Sequence, residues 1–367
     1  MWIEDYRDQH LGRETMEGDH SASSFTSAVS LDKLGVSSIP QRYVLPPSQR
    51  PSPHVPMIST TLPIIDLSTL WDQSVISRTI DEIGIACKEI GCFQVINHEI
   101  DQSVMDEALE VATEFFNLPN DEKMRLFSQD VHKPVRYGTS LNQARDEVYC
   151  WRDFIKHYSY PISDWIHMWP SNPSNYREKM GKYVKAVQVL QNQLLEIIFE
   201  SLGLNRSYLH EEINGGSQTL AVNCYPACPQ PGLTLGIHPH SYYGSITVLL
   251  QTRSGLEIKD KNNNWVPVPF VEGALVVQLG DQMEVMSNGQ YKSVIHRATV
   301  NGDDKRFSIV SLHSFAMDRK MGPALELVND QHPKSYKEFC FREFLDFISG
   351  NDITKGRFLD TLKMKKL

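Results

Sequence analysis

Two imidazoles and a guanidinium in the second half of the chain are the side chains best placed by type and spacing to do chemistry. His240 and Tyr242 stand two apart, and strand residues at i and i+2 point to the same face, so both can address one ion. His296 follows after 53 intervening residues, so a distant partner strand can bring it in as a third point of attachment. Two imidazoles and one carboxylate on a face suit iron(II) and leave adjacent coordination positions open. Here the third position carries no carboxylate. The phenol of Tyr242 has an unperturbed pKa of about 10, and its long, rigid side chain carries the oxygen beyond the place a carboxylate would occupy. Ten residues past His296 comes Arg306-Phe307-Ser308. Arg306 offers a fork of donors that pairs with a carboxylate in two places at once, which Lys cannot do. Ser308 shares its strand face and adds a hydroxyl.

The order of these elements resembles the signature of iron(II)/2-oxoglutarate dioxygenases, which reads His-x-Asp, a second His, then Arg-x-Ser. Tyr242 stands at the Asp position. Asn223-Cys224-Tyr225 is similar to the Asn-x-Tyr element of the plant branch. Leu62-Pro63-Ile64-Ile65-Asp66-Leu67, Cys92-Phe93-Gln94-Val95-Ile96-Asn97-His98 and Phe115-Phe116-Asn117-Leu118-Pro119 also resemble that branch, as does the approach to the second His, Ser287 to Arg297. The similarity runs from about residue 35 to residue 365 and points to the flavonol synthase and flavanone 3-hydroxylase-like group. It implies a jelly-roll (double-stranded β-helix) core of α+β class, with a helical N-terminal region and a C-terminal helix. It implies iron(II) on His240 and His296, 2-oxoglutarate on Arg306, Ser308, Asn223 and Tyr225, dioxygen as oxidant and ascorbate as reductant. Carried over position by position, Tyr137, Leu312 and Ser314 would meet the substrate, expected to be a flavonoid, other phenolic or alkaloid that is hydroxylated or desaturated.

Tyr242 leaves three readings open: a working oxygenase on two histidines, a fold turned to chemistry or binding that needs no iron, or a disabled copy, since Asp and Tyr codons differ by one base. Halogenation is disfavoured, because relatives of that kind keep a small residue where chloride enters, and Tyr242 would fill the space. His238, two residues before His240, could complete a three-His site, although the resemblance assigns it no ligand role. Asp281 and Glu284 are acidic and near the site in sequence, but Gly280-Asp281-Gln282 resembles a family turn.

The net charge of −9 comes without a Lys/Arg cluster, which argues against a nucleic-acid partner. Six scattered cysteines suggest free thiols in a reducing compartment. The charged N-terminus and the lack of long apolar runs suggest a cytoplasmic protein with no membrane association, and a monomer is expected. Periodicity predicts helices over 75–91, 102–116 and 174–202, and another near 335–349. It predicts strands over 245–251, 265–269, 275–278, 294–300 and 307–312. The expected division is an N-terminal extension over 1–60 (the first thirty residues disordered, the rest an extended arm), a helical region over 61–210, the jelly-roll core over 211–320 and a C-terminal helix and tail over 321–367.

Overall fold

A computed structural model describes residues 26–51, 62–208, 215–352 and 356–364. The expected disorder of the first residues falls largely outside this range. Within the described part of the arm, Ala28–Lys33 forms a short helix, α1, capped by the Ser27 hydroxyl, which accepts the Ser30 amide.

The helices follow the apolar spacing: α2 spans Ile76–Glu89, α3 Gln102–Asn117 and α6 Tyr176–Ser201, with the short α4 (Asn120–Met124) and α5 (Ile162–Trp165) between them. Gly91 ends the first of these turns with φ +77°, and a Cβ there would fall 2.1 Å from the Lys292 carbonyl oxygen. That close approach ties the α2 exit to the segment leading to His296.

Two sheets form the β core. The larger has eight strands: β1 (Ile64–Asp66), β2 (Cys92–Ile96), β10 (Leu275–Leu279), β7 (Ile246–Gln251), β12 (Arg306–Ser314), β5 (Ser217–Tyr225), β4 (Asp153–Tyr160) and β3 (Val135–Gly138), in that spatial order. The smaller has four: β6 (Ile237–His240), β11 (His296–Ala298), β8 (Leu256–Lys259) and β9 (Trp265–Pro267). The double-sheet core is as expected, while the larger sheet is widened by β1 to β4 from the helical region.

Period-two alternation divides this sheet into two environments. Phe307 and Ile309 of β12, Leu220 and Val222 of β5, Ile155 of β4 and Tyr137 of β3 pack into the main core, together with α2, α3 and α6. Their neighbours Arg306, Val310, Leu312, Asn223, Phe154 and Arg136 turn to the opposite face and line a cavity. The helix expected from residue 335 starts later, as α8, Phe341–Gly350. Tyr336 and Phe339 are held in bridges to Lys363 and Met321, and Glu343 accepts the Cys340 amide to start the helix. The described elements end with α7 (Asp281–Met286) beside the site and α9 (Phe358–Leu362) near the C-terminus.

β11 is three residues long, shorter than expected, because its register against β6 shifts between His296 and Ala298. Its anchor is a buried ion pair on the β8 side, where Arg297 Nε donates to Glu257 Oε2 at 2.6 Å. Glu257→Ala would leave Arg297 buried and unpaired, so it should cost about 3–5 kcal/mol in urea unfolding. A loss below about 1 kcal/mol, the range of surface pairs, would show that the pair does not hold β11.

Candidate functional site

The cavity occupies about 190 Å³. Phe341, Phe344 and Ile348 of α8 close one side, and its polar lining includes His240, Tyr242, His296 and Arg306.

The antiparallel pairing of β6 and β11 sets His240 directly opposite His296, and the two ring centroids are 4.2 Å apart. Each ring is oriented by its own strand. His240 Nδ1 donates to the His238 carbonyl at 2.8 Å and His296 Nδ1 to the Val294 carbonyl at 3.3 Å. A carbonyl can only accept, so both Nδ1 atoms carry the proton and both Nε2 atoms keep a lone pair, the form that binds a metal. Burial, reinforced by His296, holds His240 well below the ordinary imidazole range. Burial likewise pulls His296 down to about 4, so both rings are neutral at pH 7. His296 Nε2 is buried with no hydrogen-bond partner.

Tyr242 completes the trio. Its ring lies 4.2 Å from that of His296 and 5.4 Å from that of His240. Burial pushes the phenol pKa up, with a smaller push from Tyr225, against the pull of Arg152 and Arg306. The phenol is therefore protonated at pH 7. Among the described residues, no group of three or more His, Cys, Asp or Glu side chains could hold a metal.

Across the cavity, β12 pairs with β5 so that Arg306 faces Tyr225 and Ser308 faces Asn223. The Asn223 Nδ2 donates to the Ser308 hydroxyl at 3.2 Å. Arg306 is 3% exposed, and its Nε and Nη2 donate to the Arg253 carbonyl (3.1 Å) and Gln251 Oε1 (2.8 Å). Its guanidinium carbon lies 4.9 Å from the centre of the Tyr225 ring. Gly255 makes room for it, since a Cβ there would sit 3.0 Å from Arg306 Cδ. Arg306 Nη1 is buried without an acceptor, and no salt bridge reaches this arginine among the described residues. A buried cation with a free donor calls for an anion.

Leu312 lines the cavity. Tyr137 does not reach it: the ring is fully buried in the helix-side core and its hydroxyl donates to Asp153 Oδ2 at 2.6 Å. The strand phase differs by one residue from the expectation, and Arg136 takes the cavity position. Ser314 also lies elsewhere, at the end of β12, where it accepts from Gln282 Nε2 at 3.2 Å. The three-His alternative is corrected too. His238 Nε2 is engaged by the Val148 carbonyl at 3.0 Å, and His238 joins no metal-holding group. Asp281 does line the cavity, but Ser293 donates to its Oδ1 at 2.6 Å, and the Arg357 guanidinium pairs with it at 3.1 Å. Arg136, Arg152, Lys156 and Arg357 were not foreseen. Alternation could have found two of them, because Arg152, Phe154 and Lys156 stand at i, i+2 and i+4 and all line the cavity.

The profile of the 2OG-Fe(II) oxygenase superfamily matches residues 216–314, and that of the non-haem dioxygenase N-terminal region (in morphine synthesis) matches 62–172. Flavanone 3-dioxygenase 3 of Oryza sativa subsp. japonica is 44% identical over 83% of this chain and 93% of its own length. Protein DMR6-LIKE OXYGENASE 1 of Arabidopsis thaliana is 38% identical over 92% and 98%. The crystal structure of JOX2 in complex with 2OG, Fe and JA superposes with a TM-score of 0.82 at 31% identity, covering 93% of this chain and 98% of that one. The chain therefore belongs to the 2-oxoglutarate- and iron(II)-dependent oxygenase superfamily. The residues fit much of what that family uses: two metal-ready imidazoles and an anion cradle face one cavity. The fit stops at Tyr242, a neutral phenol beside the pair.

Replacing Arg306 by Ala should abolish 2-oxoglutarate binding measured calorimetrically. Unchanged affinity would remove Arg306 from the co-substrate site.

Proposed function

We propose that this chain is a 2-oxoglutarate-dependent oxygenase that hydroxylates or desaturates a small plant specialised metabolite, a flavonoid, other phenolic or alkaloid. The observation that carries the proposal is the convergence of two Nε2 lone pairs and the free donor of Arg306 on one cavity. Relatives named flavanone 3-dioxygenase support the flavonoid class. His240 and His296 would hold iron(II). Arg306 and Ser308, backed by Asn223 and Tyr225, would hold the far carboxylate of 2-oxoglutarate. Iron(II), when bound, supplies the one-electron chemistry that couples dioxygen to decarboxylation of the co-substrate. The chain's own contribution is position and dryness: the strand carbonyls fix both imidazoles, and Val310, Leu312 and the phenylalanines of α8 keep water away from the reacting carbon. The six cysteines are buried and free, which supports a reducing compartment. The cytosol fits this, and the relative named chloroplastic makes the plastid the alternative.

A second reading draws on Tyr242. In it the phenol occupies the place of the family's Asp and stays protonated, and the protein binds or converts a small molecule without iron. Succinate formation from 2-oxoglutarate, with iron(II) varied, separates the two. The oxygenase reading expects succinate from the native chain at high iron. It also expects Tyr242→Asp to raise apparent iron affinity by at least about ten-fold, since even outer-sphere changes shift it by that much. If the native chain makes none at any iron concentration while Tyr242→Asp does, the oxygenase reading fails for the native chain.

A further inference from the structure

Three basic side chains on one wall of the cavity make no salt bridge among the described residues. Arg136 of β3 is directly opposite Lys156 of β4 in the register, an arrangement in which like charges repel. Arg152 lies on the same face, and the guanidinium carbons of Arg136 and Arg152 are 4.9 and 4.8 Å from the centre of the Phe154 ring. Arg136 is 3% and Arg152 5% exposed, and each keeps a buried Nε with no acceptor.

Their remaining bonds go to neutral oxygens. Arg136 Nη2 donates to the Leu141 carbonyl at 2.7 Å, Arg152 Nη1 to Asn223 Oδ1 at 3.1 Å and Lys156 Nζ to the Val131 carbonyl at 3.0 Å. No salt bridge reaches any of the three among the described residues. Two carboxylates act on this wall from further off: Asp130, whose charge Arg136 and Lys156 feel, and Asp146, which both arginines feel and which accepts the Asn142 amide and is itself pushed up to about 6 by burial. Burial, with the repulsion of Arg136, pulls the Lys156 ammonium down to about 7. Neighbouring lining residues such as Leu312, Phe344 and Phe347 are apolar. Holding cations out of water costs several kcal/mol each unless an anion compensates, and Arg306 already accounts for the co-substrate.

We propose that this wall selects an anionic substrate, a carboxylate carried on an aromatic or apolar body, with Arg136 and Arg152 as its anchors. The inference rests on the cavity being the oxygenase substrate site and narrows the substrate class. A neutral ligand of the same shape would leave the cations unpaired.

The test is calorimetric binding to the full chain, saturated with N-oxalylglycine to occupy the co-substrate site, of matched acids and amides: benzoate and benzamide, cinnamate and cinnamamide. In at least one pair the acid should bind about ten-fold or more tighter, equivalent to about 1.4 kcal/mol. Arg136→Gln should remove that preference while leaving 2-oxoglutarate affinity within about two-fold. Lys156→Met, which removes a desolvated charge and so preserves the fold, should weaken the preference as well. Equal or absent binding of acid and amide in every pair would overturn the proposal. So would a fall in 2-oxoglutarate affinity in Arg136→Gln as large as the fall for the acid, because the wall would then serve the co-substrate. An acid preference in a chain that fails to bind 2-oxoglutarate would leave the anion site standing and remove the oxygenase reading.

Discussion

A buried donor or acceptor left without a partner costs about 1–3 kcal/mol, and more when it is charged. Natural folds keep such groups few. In this protein four of them border a single cavity: His296 Nε2, Arg306 Nη1, Arg152 Nε and Arg136 Nε. Each is held where it is by ordinary secondary structure. Strand carbonyls turn the imidazoles, the pairing of β12 with β5 brings Arg306 opposite Tyr225, and the pairing of β3 with β4 brings Arg136 opposite Lys156. The scaffold thus spends stability on a set of polar groups that ligands complete. Under the proposed function, metal, co-substrate and substrate would complete that set.

Much of this was legible in the sequence, for identifiable reasons. The apolar spacing of Ile80, Ile83 and Cys87, and of Tyr183, Val187, Leu190 and Leu194, is helical, and these residues are buried on α2 and α6. The i and i+2 spacing of Arg306 and Ser308 placed them on one face, where the structure finds them opposite Tyr225 and Asn223. Other features depended on facts that pattern does not carry. Whether Tyr137 or Arg136 faces the cavity is a one-residue choice of strand phase, and it was settled by the buried bond from Tyr137 to Asp153. The widening of the large sheet by β1 to β4 depends on pairings between segments far apart in the chain. The contact of Arg357 with Asp281 joins residues 76 apart, and nothing local announces it.

Tyr242 is where the local and global signals disagree. The fold and the relatives belong to the oxygenase superfamily, while the phenol beside the two imidazoles offers no charge to a metal. Such conflicts between a residue and its surroundings tend to sit at functional sites. Here the surroundings are intact: both imidazoles keep the tautomer that binds a metal, and Arg306 keeps its free donor. Under the proposed oxygenase reading that state is expected of a site still in use, where iron would be held by fewer protein ligands and therefore more weakly.

The most direct test of this account is an anaerobic titration of the native chain with iron(II) in the presence of 2-oxoglutarate, followed by visible absorption. A weak charge-transfer band is expected, from metal and co-substrate bound together at His240, His296 and Arg306. A native chain that binds 2-oxoglutarate yet shows no band at saturating iron would contradict it.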